Sequence, residues 1–169
     1  MVEQVSPRAL VTESTAEFRD ALPHGGEEGG ALLGLDLGTK TIGVATCDAG
    51  WRFATAGATL PRGKFTVDAA KIREVVQQRR AVGVVIGLPR NMDGSTGARV
   101  QSSRAYADNL AKSLALPVLL WDERWSSISA ERDMIASDTS RAKRAERIDS
   151  HAAAIILQGA IDALAGSAI

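Results

Sequence analysis

Three carboxylates stand out in this sequence, Asp36, Glu123 and Asp149, far apart in the chain but each in a telling place. Asp36 interrupts the apolar run LLGLDLG, where a charge is costly unless it is paired or meets a cation. Glu123 follows the apolar run PVLLW almost at once, so it belongs at the carboxyl end of a buried strand. Sites in open α/β sheets gather at such ends. Asp149 opens a stripe continued by Ala153, Ile156, Ala160 and Leu164 at intervals of three and four. It reads either as a carboxylate capping a helix start, where the helix dipole favours an anion, or as a third ligand on the sheet-facing side. Three carboxylates together would form a hard, oxygen-rich site suited to Mg²⁺ or Mn²⁺ and not to zinc. Two such ions about 3.5–4 Å apart can activate water and stabilise a leaving oxygen in phosphoryl transfer. Spacing alone does not single out these three among the chain's 20 acidic residues.

Cations and amides lie near each of the three. The turn Gly38-Thr39-Lys40 offers backbone N–H groups and a positive charge just after Asp36, suited to a phosphate, though an ordinary tight turn with an exposed lysine would look the same. Arg90 and Asn91 follow a strand end and should line the same edge. Arg124 adjoins Glu123 and could pair with a carboxylate or contact a nucleic-acid backbone. Arg141, Lys143, Arg144 and Arg147 form the densest basic patch, directly before Asp149, on a loop; such a run often marks only a solvated loop, but its closeness to the presumed site favours phosphate-backbone binding. Trp121 and Trp125 flank Glu123; core packing is the simpler role, base stacking the alternative. His151 reads as a helix-surface residue, with proton transfer beside Asp149 the alternative.

The elements that must position these residues can be traced by periodicity. Residues 1–30 mix charge with Pro and Gly and read as a mostly flexible extension with a weak helical pattern near Ala16–Leu22. From Ala31, ALLGLDLG and TIGVATCD form two strands of a hairpin, and TAGATL (55–60) a third strand closed by Pro61. Residues 64–80 and 98–115 carry apolar residues at helical spacing. Between and after them, 82–89 and 116–123 are continuous apolar runs, expected for strands buried on both faces. A helix over about 126–136, a polar basic loop, and a last helix from about Asp149 to Ala165 complete the chain. The order β-β-β-α-β-α-β-α-α implies an α/β fold. Its five-stranded mixed sheet is antiparallel over the first three strands, then parallel, and flanked by helices. One folded domain, residues 31–169, follows the extension.

Composition narrows the function. At 169 residues and 45% hydrophobic, the chain suits one packed domain whose core, with only 4% aromatics, rests on aliphatic side chains. Twenty basic and twenty acidic residues cancel, so any nucleic-acid affinity must come from local patches. The single cysteine, Cys47, excludes an internal disulfide and a cysteine-rich zinc site and reads as a small strand residue. No apolar stretch approaches membrane-spanning length and the start lacks a signal-peptide pattern, so a cytoplasmic location without a membrane partner is expected.

The segments GLDLGTKTIGVATCD, VVIGLPRNMDGSTG, LPVLLWDERWSS and RIDSHAAAIILQGAID resemble, in order, the four signature blocks of the YqgF/RuvX family, across roughly residues 31–165. The resemblance implies a ribonuclease H-like fold related to the junction resolvase RuvC. It also implies a metal-dependent endonuclease with Asp36, Glu123 and Asp149 as metal-binding catalytic residues, leaving a 5′ phosphate and a 3′ hydroxyl. The family is described both as Holliday junction resolvases and as nucleases maturing the 5′ end of pre-16S rRNA. Structured RNA or branched DNA is therefore the expected partner, with association with pre-ribosomal particles in the first case and a homodimer in the second, since a junction has paired scissile strands. The leader of about 30 residues, Trp125 after the DER triplet, and His151 depart from the family pattern. Two other readings stand beside this one. A non-catalytic RNA-binding or ribosome-assembly factor could use the same fold. An ATP-binding protein of the actin and sugar-kinase superfamily shares a DLGTKTIGVA-like loop, but needs two such domains to enclose a nucleotide.

Overall fold

Alternation along the strands sorts side chains onto two faces, and this sorting places the site. The computed structural model describes residues 9–22, 30–89, 97–125 and 141–166, except for the side chains of 125, 141–149 and 166. In chain order the elements are β1 (Val11–Thr12), α1 (Thr15–Ala21), β2 (Ala31–Leu37), β3 (Thr41–Cys47), β4 (Ala54–Pro61), α2 (Phe65–Arg79), β5 (Ala81–Leu88), α3 (Ala98–Leu114), β6 (Val118–Asp122), a 3₁₀ turn (Glu123–Trp125) and α4 (Arg141–Gly166). The sheet order is β1-β6-β5-β2-β3-β4. The β2–β3 and β3–β4 pairs are antiparallel; β2–β5, β5–β6 and β1–β6 are parallel.

The apolar runs become the central strands. All seven residues of β2 are buried, as are seven of the eight in β5. Leu33, Leu35 and Leu37 join Val84, Ile86, Leu88, Val118 and Leu120 in a core closed by α2 and α3 through Ile72, Ala107 and Leu110. The alternate residues Leu32, Val85 and Leu119 enter a second core with α1 and α4, through Phe18, Ala153, Ile156, Leu157 and Ala160. Successive strand side chains point to opposite faces. Gly34 follows the second set: a Cβ there would lie 2.7 Å from Leu157 Cβ and 2.9 Å from the Ala153 carbonyl oxygen. Asp36, two residues on, shares that face. Pro61 closes β4 at the sheet edge, opposite Thr41, where its missing N–H costs the ladder little.

Three expectations are corrected. The sheet has six strands, not five, because Val11 and Thr12 pair with Val118 and Leu119. The described part of the supposed flexible extension is therefore built into the fold. Phe18 is fully buried, Leu22 nearly so, and both abut Gly83 of β5, where an added Cβ would lie 2.8 Å from each. A two-residue strand is too short to show alternation, so β1 left no signal in the sequence. Third, α4 begins at Arg141, eight residues before Asp149. Arg, Ala, Lys and Glu are strong helix formers, so RAKRAER continues the helix where its charge suggested a loop. Asp149 is thus in the third turn, beyond the range of a helix cap or of the dipole. The helix expected over 126–136 and the loop residues 91–96 lie outside the described residues.

Candidate active site

The carboxyl ends of β2, β5 and β6 meet at one edge of the sheet, and Gly87 marks the meeting point. Leu35 pairs with Ile86, so Asp36 on β2 is level with Gly87 on β5, which in turn pairs with Trp121 on β6. A Cβ on Gly87 would lie 2.8 Å from Glu123 Oε1, 3.2 Å from Glu123 Cγ and 2.6 Å from Ile156 Cδ1. Glu123 therefore folds back from the 3₁₀ turn over Gly87, on the α4 face that Asp36 shares. Asp36 is 5% exposed. A carboxylate this far from water needs hydrogen-bond or charge partners.

The course of α4 carries Asp149 to the same edge. The far end of the helix is fixed by Arg19, whose Nη1 donates to the Leu164 carbonyl oxygen at 2.6 Å. Arg19 adjoins Phe18, which packs on Gly83 near the start of β5. The helix thus runs antiparallel to β2, with its N-terminal part toward the carboxyl ends. Asp149 precedes Ala153 by one turn, about 6 Å. Asp36 follows Gly34, the residue against Ala153, by about 6.6 Å of strand. The backbone thus brings helix position 149 to the level of Asp36. Among the described residues no group of three His, Cys, Asp or Glu side chains gathers to hold a metal ion, and the side chain of Asp149 is outside them.

Neighbouring residues take definite places. Arg124 pairs with Asp122: Nη2 donates to Oδ2 at 2.6 Å, while Nε and the backbone N–H donate to Oδ1 at 3.1 and 3.0 Å. Of the two roles open to Arg124, carboxylate pairing is the one this structure holds; the pair fixes the turn that starts at Glu123. Lys40 is exposed on the β2–β3 turn, which Gly38 N–H closes onto the Thr41 carbonyl oxygen at 2.9 Å. Arg141, Lys143, Arg144 and Arg147 occupy the first two turns of α4, and by helical spacing their positions fall away from the 149/153/156/160 stripe. Arg90 and Asn91 lie outside the described residues. His151 is half-buried, about 200° around the helix from Asp149, so it does not share that stripe. Trp121 packs over Gly159, with an added Cβ there 3.1 Å from the indole, and its buried Nε1 finds no partner among the described residues. It serves the core. Cys47 is buried in the second core and accepts from Leu32 N–H at 3.3 Å; desolvation pushes its thiol up to about 11.

One residue of this edge escaped the sequence reading. Arg62, just past β4, donates from Nη1 to the Gly38 carbonyl oxygen at 2.6 Å and from its backbone N–H to the Lys40 carbonyl oxygen at 2.9 Å. Its guanidinium carbon sits 5.1 Å from the centre of the Tyr106 ring. Nothing in the local sequence signals this, because the contacts join segments more than twenty residues apart.

Comparisons with known proteins identify the family and the fold. The family described as RuvX, Holliday junction resolvase, matches residues 30–163. A protein of Novosphingobium aromaticivorans named "Putative pre-16S rRNA nuclease" is 65% identical over 159 residues, covering 94% of this chain and 99% of its own length. One of the same name from Sphingopyxis alaskensis is 59% identical over 155 residues, covering 92% and 99%. An alignment of 159 of the 169 residues takes in β1 and α1, so the leader is shared with that relative. The solved structure of RuvC from Thermus thermophilus superposes with a TM-score of 0.52 at 14% identity, over 80% of this chain and 96% of that one, which shows a common ribonuclease H-like fold. The chain is a hydrolase acting on nucleic acid and belongs to the RuvX family.

Proposed function

We propose that the chain is a divalent-metal-dependent endonuclease that hydrolyses phosphodiesters in structured nucleic acid at the sheet edge that carries Asp36 and Glu123. What supports the reading is that Asp36 near the end of β2 and Glu123 in the turn after β6 lie on one face of the sheet, with helix position 149 at the level of Asp36 by backbone spacing. The donor set fits the metal. Carboxylate oxygens are the ligands Mg²⁺ and Mn²⁺ prefer, and a cation would relieve the cost of crowding acids in a buried place. Asp36, Glu123 and Asp149 would hold it. When bound, the ion supplies Lewis-acid stabilisation of the leaving oxygen and a more acidic water.

The chain's own residues do the rest. The Asp122–Arg124 pair holds the Glu123 turn against the sheet. Gly87 leaves the hollow into which Glu123 folds. Lys40 stands beside the Asp36 strand end, and Arg90 and Asn91 follow β5, where a bound strand would pass. Arg141, Lys143 and Arg144 stand in the first turn or so of α4, where the helix dipole disfavours cations. A nucleic-acid backbone there would reverse that penalty, and Arg147 continues the basic run one turn further along α4.

Precursor 16S rRNA is the substrate we favour, from the names of the relatives; a four-way junction is the alternative and would call for a homodimer with two sites. The test is cleavage of both substrates, with Mg²⁺ and with Mn²⁺, by wild type and by Asp36→Asn. Wild type should cut in a metal-dependent way and the variant should not. Equal cutting by both would overturn the site. Binding of RNA without any cutting would favour a non-catalytic assembly factor.

A further inference from the structure

We infer that Arg62 is a phosphate-backbone contact for a substrate bound along the sheet edge that carries Asp36, positioned by the β2–β3 turn and by Tyr106. The inference rests on the nuclease reading above and extends its binding surface to a residue on a different strand end. Arg62 lies at the same edge of the sheet as Asp36: Pro61 pairs with Thr41, and Gly38, whose carbonyl oxygen accepts from Arg62, is two residues past Asp36.

Three features suit the side chain to an anion. First, it is held in place: one guanidinium nitrogen bonds the Gly38 carbonyl oxygen, and the guanidinium stacks at 5.1 Å on Tyr106. The ring is itself fixed, edge-on to Phe65 with centroids 5.2 Å apart and with its hydroxyl donating to Asp68 Oδ2 at 3.3 Å. A side chain already ordered loses little further freedom on binding. Second, most of its donors are unengaged. Arginine carries five N–H donors, and among the described residues only the Gly38 carbonyl oxygen takes one. Third, no carboxylate among the described residues pairs with it. Asp68, a buried acid at the same ring, accepts from the Tyr106 hydroxyl and from Gly63 N–H at 2.9 Å. A planar, fixed, half-buried cation with donors to spare beside Lys40 is the arrangement that takes a phosphate.

Binding of a labelled single-stranded RNA and of a four-way DNA junction, measured without divalent ions across a range of salt, tests the assignment without relying on cleavage. Each phosphate contact contributes about 0.7 (single strand) to 0.9 (duplex) to the slope of log affinity against log salt. Arg62→Ala should weaken binding and flatten the slope by about that amount, and Arg62→Lys should restore the slope. Arg62→Gln keeps a donor for the Gly38 carbonyl without the charge, so it separates anion binding from support of the turn. It too should flatten the slope while melting like wild type. Weaker binding with an unchanged slope in both neutral variants would make Arg62 only a brace for the turn and overturn the inference. Unchanged affinity would overturn it as well. A wild-type chain that binds neither probe would instead sink the nuclease reading, and this inference with it.

Discussion

Adding one methyl group at Gly87 should disable the enzyme without unfolding it. The Cβ of Gly87→Ala would lie 2.8 Å from Glu123 Oε1 and 2.6 Å from Ile156 Cδ1. Ordinary contact begins near 3.4 Å, so Glu123 Oε1 must retreat by roughly 0.6 Å (3.4 − 2.8) or swing away, and Ile156 must shift as well. Overpacking of this kind costs about 1–3 kcal/mol, which for a chain of this size lowers the melting temperature by roughly 2–12 °C. A carboxylate displaced by up to about 1 Å can cost about 100-fold in rate. Gly83→Ala is the matched control. It lies four residues earlier on the same strand and meets comparable crowding, 2.8 Å from both Leu22 Cδ2 and Phe18 Cζ, but at the opposite end of β5. Thermal unfolding and metal-dependent cleavage should be measured for both. The two variants should melt similarly, with cleavage falling about 100-fold for Gly87→Ala and by less than about threefold for Gly83→Ala at temperatures where both are folded. Wild-type cleavage by Gly87→Ala, or equal losses in both, would refute the placement of Glu123.

Other perturbations test other parts of the structure. Phe18→Ala removes a fully buried ring from the α1–α4 core and should cost about 3–5 kcal/mol in urea unfolding; a loss under 1 kcal/mol would mean that α1 does not dock. Cys47, buried with its thiol pushed up to about 11 from 9.0 by desolvation, should resist a disulfide reagent at pH 8 until urea is added. Its proton is held in the folded state and released on unfolding between pH 9 and 11, so stability should fall as pH rises through that window. Cys47→Ala should lose that part of the urea-midpoint slope. Asp36→Asn should abolish cleavage while leaving RNA binding in EDTA intact or stronger, read by a filter assay, because one negative charge leaves the phosphate track.

The central strands and two of the crossover helices were legible because their apolar patterns are long and local. LLGLDLG and VGVVIGLP are buried on both faces, and the period of 64–80 and 98–115 is helical, so β2, β5, α2 and α3 follow from residue type alone. Asp36 and Glu123 were legible for the same reason, as acids at the ends of runs that should have none. Other features depended on partners distant in the chain. Val11 and Thr12 become a strand only because β6 offers an open edge, and Phe18 is core only because Gly83 leaves room for it. The run from Arg141 to Arg147 looked like a loop by charge, although its helix propensity argued otherwise, and its true state moved Asp149 from a helix start to a third turn. Arg62 was invisible because a guanidinium's role is set by what its fork meets, here a carbonyl of the preceding hairpin and a ring on α3. Sequence alone determined which segments are apolar and periodic, and hence where charge is out of place. Tertiary structure decided which of those charges share a face, since strand order and helix direction are settled by packing between segments that no local pattern connects.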